Sequence, residues 1–230
     1  MVGRKLRDLL PATLLKEGPK MPWVAVKEAV LPWSRFPGVD AVLGPEMRST
    51  GEVMGIDQDF ARAFAKSQSA AGSQLPSSGG VLFSLTDRDK QPGAQIAKEL
   101  SRLGFELFAT GSTAEYLRQQ GLDVRTVLKL TEGRPNVADV IKNREVALVI
   151  NTPSGRRSHS EGFTIRQASL QHNVPIVTTL AAARAALAGI KGIREGRVTV
   201  SSLQDYYARS ANKTKENAPA AAGQGTGAGK

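Results

Sequence analysis

Cysteine is absent from the 230 residues. Disulfides, thiolate nucleophiles and zinc–sulfur sites are therefore excluded. Histidine is scarce too. His159 and His172 are the only two, well apart in sequence, so no metal site is expected. Hydroxyl residues are plentiful, but no Ser–His–Asp constellation stands out, and no catalytic residue is assigned. Aromatic residues make up only 5% of the sequence, too few for the interleaved stacking platforms that hold single-stranded nucleic acid. No apolar run approaches the roughly 18 residues of a membrane span. Met1 to Leu15 carries basic residues and leucines, but Asp8 and Pro11 interrupt it and no small-residue cleavage pattern follows. A secretory signal is not expected, nor is a membrane partner, and a cytoplasmic location is. There is no internal repeat.

What is present is an ordinary globular share of apolar residues, 40% of 230, and a basic excess of 31 − 21 = +10. A nucleic-acid-binding basic protein is one reading of that excess. A solvated basic surface with a basic tail is the other. The positive residues are scattered, with Arg156-Arg157 the longest run in the foldable part, which weighs against nucleic acid. A small anionic ligand explains a local basic crevice equally well.

Composition separates several regions. Residues 1–72 hold Pro11, Pro22, Pro32, Pro37 and Pro45 with short apolar runs between them, and look like a piece of something larger. Val24 to Leu31 reads as a strand. Asp57 to Ala71 reads as a helix, with Asp57 as N-cap and Gly72 as stop. Residues 73–80 form a Ser/Gly/Pro linker. Residues 81–207 alternate strand and helix. Strands are expected at Val81–Leu85, Phe105–Ala109, Val124–Leu128, Val146–Ile150 and Val174–Val177. The first helix shows Ile96, Ala97, Leu100 and Leu103 on one face and ends at Gly104. Others follow at Ser112–Gln120, Val137–Ile141, Phe163–Gln171 and Leu180–Ile190, and Val198–Val200 with Leu203–Tyr207 finishes the fold. The pattern implies an α/β fold, a Rossmann-like parallel sheet of about five strands with helices on both faces. Residues 208–230 are rich in Ala, Gly, Lys and Asn. They carry too little apolar area to offset their ordering entropy, so a disordered basic tail is expected.

The loops at the carboxyl ends of parallel strands converge on one crevice. Three such exits are Ser84 to Lys90, Ala109-Thr110-Gly111-Ser112-Thr113, and Asn151-Thr152-Pro153-Ser154-Gly155. Small hydroxyls, a glycine and lysines at that rim suit a phosphate-bearing metabolite. Lys90 and, after the third strand, Lys129 are the candidate phosphate cations. Asn151 and Thr152 offer an amide and a hydroxyl to a ribose or base edge.

Several runs carry a family resemblance. Val26 to Trp33, Phe36-Pro37-Gly38-Val39-Asp40 and Leu43 to Gly55 resemble the end of the second ATP-grasp unit of the carbamoyl-phosphate synthase large chain. Thr110-Gly111-Ser112-Thr113, Glu132-Gly133-Arg134-Pro135-Asn136 and Ile150 to Arg156 resemble its C-terminal methylglyoxal-synthase-like regulatory domain. The resemblance runs from Pro22 to Tyr207. It implies that residues 1–72 are an incomplete α+β remnant of an ATP-grasp unit and that 81–207 are an effector-binding domain. That family's full-length enzyme is a glutamine-hydrolysing ligase of pyrimidine and arginine biosynthesis that uses ATP and magnesium. No Gly-rich nucleotide loop or Glu-x-Asn metal run precedes Val24, so no cofactor is expected in this segment, which reads as a C-terminal fragment, or as one product of a split gene, without catalysis of its own.

By the same resemblance, Ser84, Lys90, Thr110, Thr113, Lys129 and Asn151 match positions that bind a nucleotide monophosphate. Pro153 stands where some members have a second Thr, so uridylate (UMP) and inosinate (IMP) both stay open as effector. Glu28 and Thr178 match an ornithine-type junction site, against a purely structural role for both, and the Glu28 segment is the natural relay to the synthetase. The implied partners are the rest of the synthetase, its glutaminase small chain, and further copies of this protein. A phosphate-eliminating lyase of the methylglyoxal synthase type is an alternative. Its catalytic loop would fall at Gly133-Arg134-Pro135-Asn136, with Asp139 a poor stand-in for the catalytic carboxylate and Thr86-Asp87 in place of a His–Asp pair.

Overall fold

The computed structural model describes residues 3–10, 12–17, 21–35, 38, 40–42, 49–152, 155–196 and 199–208. Parts of three sequence expectations lie outside these residues: Phe36, Pro37, Val39 and Leu43 to Arg48 of the first resemblance, Pro153 with Ser154, and the tail from 209 onward. Val198 and the side chains of Arg156 and His159 lie outside them too.

The molecule divides into two compact units, one formed by residues 1–23 with 199–230 and the other by 24–198. In the first, a 3-10 turn at Leu6–Asp8 precedes α1, Ala12–Glu17. Residues 203–208 are helical. The Trp23 ring meets Tyr206 and Tyr207 edge-on, with centroids 6.1 and 5.4 Å apart.

The second unit opens with an antiparallel pair, β1 (Val24–Val30) and β2 (Gly51–Asp57), in register from Val24 opposite Asp57 to Val30 opposite Gly51. α2 follows at Phe60–Ala70. Asp57 is therefore the end of a strand, not a helix cap. The cap is Asp59, whose carboxylate accepts from the Arg62 N–H at 3.0 Å. Asp57 is buried, with the Lys66 ammonium 2.8 Å and the Arg62 Nε 3.3 Å from its oxygens. Pairing with both cations offsets the cost of burying the carboxylate.

Next comes the parallel sheet, β3 (Gly80–Ser84), β4 (Glu106–Thr110), β5 (Arg125–Val127), β6 (Val146–Asn151) and β7 (Ile176–Val177), in the spatial order β5-β4-β3-β6-β7. The helices between them are α3 (Asp87–Arg102), α4 (Gly111–Gln119), α5 (Val137–Lys142), α6 (Gly155–Gln171) and α7 (Leu180–Arg194). Gly104 and Gly121 sit at φ +80° and +78°, the left-handed conformation that stops α3 and α4. Because side chains alternate along β3, Val81 and Phe83 join one core with α3, α4 and α7, while Leu82 joins the other with α5 and α6. Helices thus cover both faces of the sheet, as the near-continuous apolar strands require.

α2 lies against α7. A Cβ at Gly189 would sit 2.6 Å from Leu75 Cδ1, and one at Gly192 3.3 Å from Arg62 Cγ. These small residues let the two helices approach. No helix among the described residues is long and apolar enough to cross a membrane.

Glu28 on β1 accepts from Gln68 Nε2 at 2.9 Å. Burial pushes its carboxyl above the usual carboxylate range, with the Gln68 bond partly opposing that. A raised folded-state pKa means the folded protein prefers neutral Glu28, so the charged form costs stability above that pKa. Glu28→Gln is therefore expected to raise Tm by about 1–2 °C at pH 7. The gain should fade as pH drops through the carboxyl's titration toward pH 4, as thermal melts at the two pH values would show.

Candidate functional site

The strand order reverses at β3. The backbone leaves β3 toward β4 and β5 on one side and returns to β6 and β7 on the other. Such a switch point opens a crevice at the carboxyl ends of the flanking strands. Ser84 closes β3 and Asn151 closes β6 directly opposite it in register. Thr110 closes β4, and its hydroxyl lies 3.5 Å from that of Ser84. These three residues, with Lys129, Leu130, Thr131, Val137, Gly162, Thr164 and Ile165, line a cavity of about 180 Å³. Thr110 and Asn151 are almost fully buried.

Lys129 enters from the loop after β5. Its backbone N–H donates to Glu132 Oε2 at 2.9 Å. The same loop ends in a capping box: Asn136 Oδ1 accepts from the Asp139 N–H at 3.4 Å, as well as from the Ala138 N–H, and Asp139 Oδ2 accepts from Asn136 N–H at 2.9 Å. Asn136 Nδ2 also donates to the Gly133 carbonyl at 3.0 Å. The Glu132–Asn136 run thus fixes the loop that carries Lys129, and the Asp139 carboxylate serves the cap.

The other expected residues have different surroundings. Thr113 is buried, with its hydroxyl accepting from the Leu85 N–H at 3.2 Å and donating to the Leu85 carbonyl at 3.4 Å. The Thr152 hydroxyl accepts from the Thr86 N–H at 3.2 Å. Both shape the backbone after β3. The Lys90 ammonium lies 2.7 Å from Asp87 on the first turn of α3, and that bond holds the Asp87 carboxyl below its usual range. Glu28 on β1 and Thr178 just after β7 do not line the cavity. The structure therefore gathers Ser84, Thr110, Lys129 and Asn151, and not Lys90, Thr113, Thr152, Glu28 or Thr178. Among the described residues, no group of three or more His, Asp or Glu is placed to hold a metal.

A residue behind the cavity lining, bonded to the lining Asn151, carries no signal strong enough to mark it in the sequence. Arg166 on α6 is 0% exposed. Its Nη2 lies 2.6 Å from Asp40 Oδ2, its Nε bonds Asp40 Oδ1, and its Nη1 donates to Asn151 Oδ1 at 3.0 Å. Removing one partner of a buried pair such as this typically costs about 3–5 kcal/mol. A fork of parallel bonds to one carboxylate also fixes orientation. Gly162, one turn earlier, makes room: a Cβ there would lie 2.6 Å from Arg166 Nη1 and 3.1 Å from Asn151 Oδ1. The signal in the sequence was a charge on a helix stripe that is otherwise small and apolar: Gly162, Ile165, Arg166 and Ser169.

The MGS-like domain family matches residues 93–178. The C-terminal section of a carbamoyl phosphate synthase large subunit from Aquifex aeolicus (strain VF5) is 47% identical over 223 residues, covering 90% of the present sequence and 42% of the relative. The protein belongs to the carbamoyl-phosphate synthase large-chain family. Its counterpart from Methanopyrus kandleri is 46% identical over 209 residues and is covered to 39% of its length. In Nostoc sp. (strain PCC 7120 / SAG 25.82 / UTEX 2576) the match to the large chain is 50% identical over 183 residues, 80% of the present sequence and 17% of that one. The protein thus spans less than half of these synthase relatives and matches the C-terminal sections among them over most of its own length. A solved methylglyoxal synthase from Elizabethkingia anophelis NUHP1 covers 49% of the sequence and 79% of its own length at TM-score 0.42 and 20% identity, a likeness too loose to bear on chemistry.

Proposed function

We propose that this protein is the effector-binding, allosteric portion of a carbamoyl-phosphate synthase large chain, and that the crevice takes a nucleoside monophosphate of the uridylate or inosinate type. The observation that carries this reading is the convergence of Ser84, Thr110, Asn151 and Lys129 on one cavity at the sheet's switch point. Two hydroxyls, an amide and an ammonium offer hydrogen-bond donors and one positive charge, which is what phosphate oxygens require. The cavity of about 180 Å³ is small beside the roughly 300–1,000 Å³ that enclose a whole drug-sized ligand. It suits the phosphate and sugar, with the base lying across the mouth.

The full enzyme of this reading works in the cytoplasm with ATP and magnesium. Its catalytic units and glutaminase small chain act beside this portion, which modulates them and does no chemistry itself. To act, an effector must bind two conformational states unequally. The lyase alternative draws less support, because Asp139 is already engaged as the α5 cap.

Isothermal titration of the protein with uridylate and inosinate tests the proposal. Saturable binding of at least one is expected, and Lys129→Ala should weaken it about ten- to a hundredfold, the range for one hydrogen bond to a charged group. Absence of saturable binding to both nucleotides would overturn the reading.

A further inference from the structure

Arg166 joins two parts of the molecule that are 126 and 15 residues away from it in sequence: Asp40, which precedes β2, and Asn151, which lines the crevice. A guanidinium has five donors and no acceptor. Whichever end of the Asn151 amide faces Arg166 must therefore be its oxygen. The amide nitrogen is then the end left for the cavity, so Asn151 meets a ligand as a donor. Asp40 in turn engages Arg166 through two parallel bonds, which hold the guanidinium plane and balance its charge where no water reaches it.

We infer that Asp40, Arg166 and Asn151 form one relay. In it, Arg166 is a positioning residue that presents Asn151 as a donor, and the segment bearing Asp40 sets the crevice's affinity for a phosphate-bearing ligand. The inference rests on the nucleotide reading above and adds a route to it. Where Asp40 is in place, Arg166 holds the Asn151 oxygen and the crevice presents donors from Ser84, Thr110, Lys129 and Asn151. Where Asp40 moves away, the guanidinium loses its anchor and the amide its fixed orientation, and the ligand loses a donor. Coupling of this kind is reciprocal. A bound ligand that orders Asn151 therefore holds Asp40 against Arg166. Asp40 lies in the stretch that resembles the end of the ATP-grasp unit, so occupancy of the crevice is felt on that side of the molecule. The relay runs through Asp40, where the sequence pointed to the Glu28 segment.

The test is a double-mutant cycle on the 230-residue protein, with uridylate and inosinate as the titrants. Asp40→Asn keeps the shape and removes the charge, and it should weaken binding at least about fivefold. Asn151→Ala should do the same. The double variant should bind within about twofold of Asn151→Ala, because Asp40 acts only through that amide. Asp40→Glu, which retains the carboxylate, should recover most of the affinity. A purely structural role for Asp40 would give losses that multiply in the double variant. If the unaltered protein binds neither nucleotide, the ligand reading and the relay fall together. If it binds and Asp40→Asn changes affinity less than twofold, or the losses multiply, the relay alone is overturned. A measurement on the unaltered protein guards against a variant that does not fold: the NMR signal of the Arg166 Nε–H, which faces Asp40, should shift on saturation with the nucleotide that binds. An unmoved signal would also overturn the relay.

Discussion

Gly162→Ala is expected to cost the crevice at least about tenfold in nucleotide affinity and the fold about 1–3 kcal/mol, the usual range for overpacking. The added Cβ would stand 2.6 Å from Arg166 Nη1 and 3.1 Å from Asn151 Oδ1. An arginine tip normally swings aside at little cost. This one is fully buried and tied to Asp40 through two nitrogens, so moving it breaks a charge-balanced fork. Pushing Asn151 instead moves a cavity-lining amide away from the ligand. Either response harms the same site. Titration calorimetry beside a thermal melt checks this. Unchanged affinity in a folded Gly162→Ala protein would mean that Asn151 and Arg166 do not govern the crevice.

Gly55→Ala is expected to be the most destabilising single-methyl change, by at least about 3 kcal/mol, at the top of the overpacking range. The position lies on β2 beneath α2. A Cβ there would overlap the Ala63 carbonyl oxygen and sit 2.6 Å from the Ser67 nitrogen. Both are backbone atoms inside a helix, so no side-chain rotation relieves the clash. α2 must lift from the β1–β2 pair, and α2 is also the element packed against α7. At roughly 2–4 °C per kcal/mol for a protein of this size, Tm should fall by about 6–12 °C. A drop under 2 °C would show that α2 shifts on this ribbon without resistance.

Much of the fold was legible because strands buried on two faces advertise themselves. Val146 to Ile150 is wholly apolar, and it is β6. The helix faces were legible from Ile96, Ala97 and Leu100, which the structure buries in one core. Where the reading stopped short, local residues masked a tertiary choice. β2 was not legible as a strand, since Gly51 and Gly55 lower strand propensity and Met54 faces outward. Its strand character comes from the ladder to β1. α6 begins at Gly155, well before the expected Phe163, through a stretch of Ser, Gly and charged residues with no apolar period. α3 likewise starts at Asp87 and runs through Pro92, a residue that usually marks a boundary.

The candidate site divides in the same way. The sequence by itself determined that Ser84, Thr110 and Asn151 stand at strand exits, and that strands alternating with helices bring those exits to one rim. It also carried the family likeness. Only the tertiary structure decided which hydroxyls face the cavity and which bind backbone. Thr113 bonds Leu85 across 28 residues and Thr152 bonds Thr86 across 66. It alone paired Arg166 with Asp40, across 126. Strand and helix periods fix the side of an element on which a residue lies. The atom its polar end meets is set by whatever neighbour packing brings there, and residue order holds no record of that.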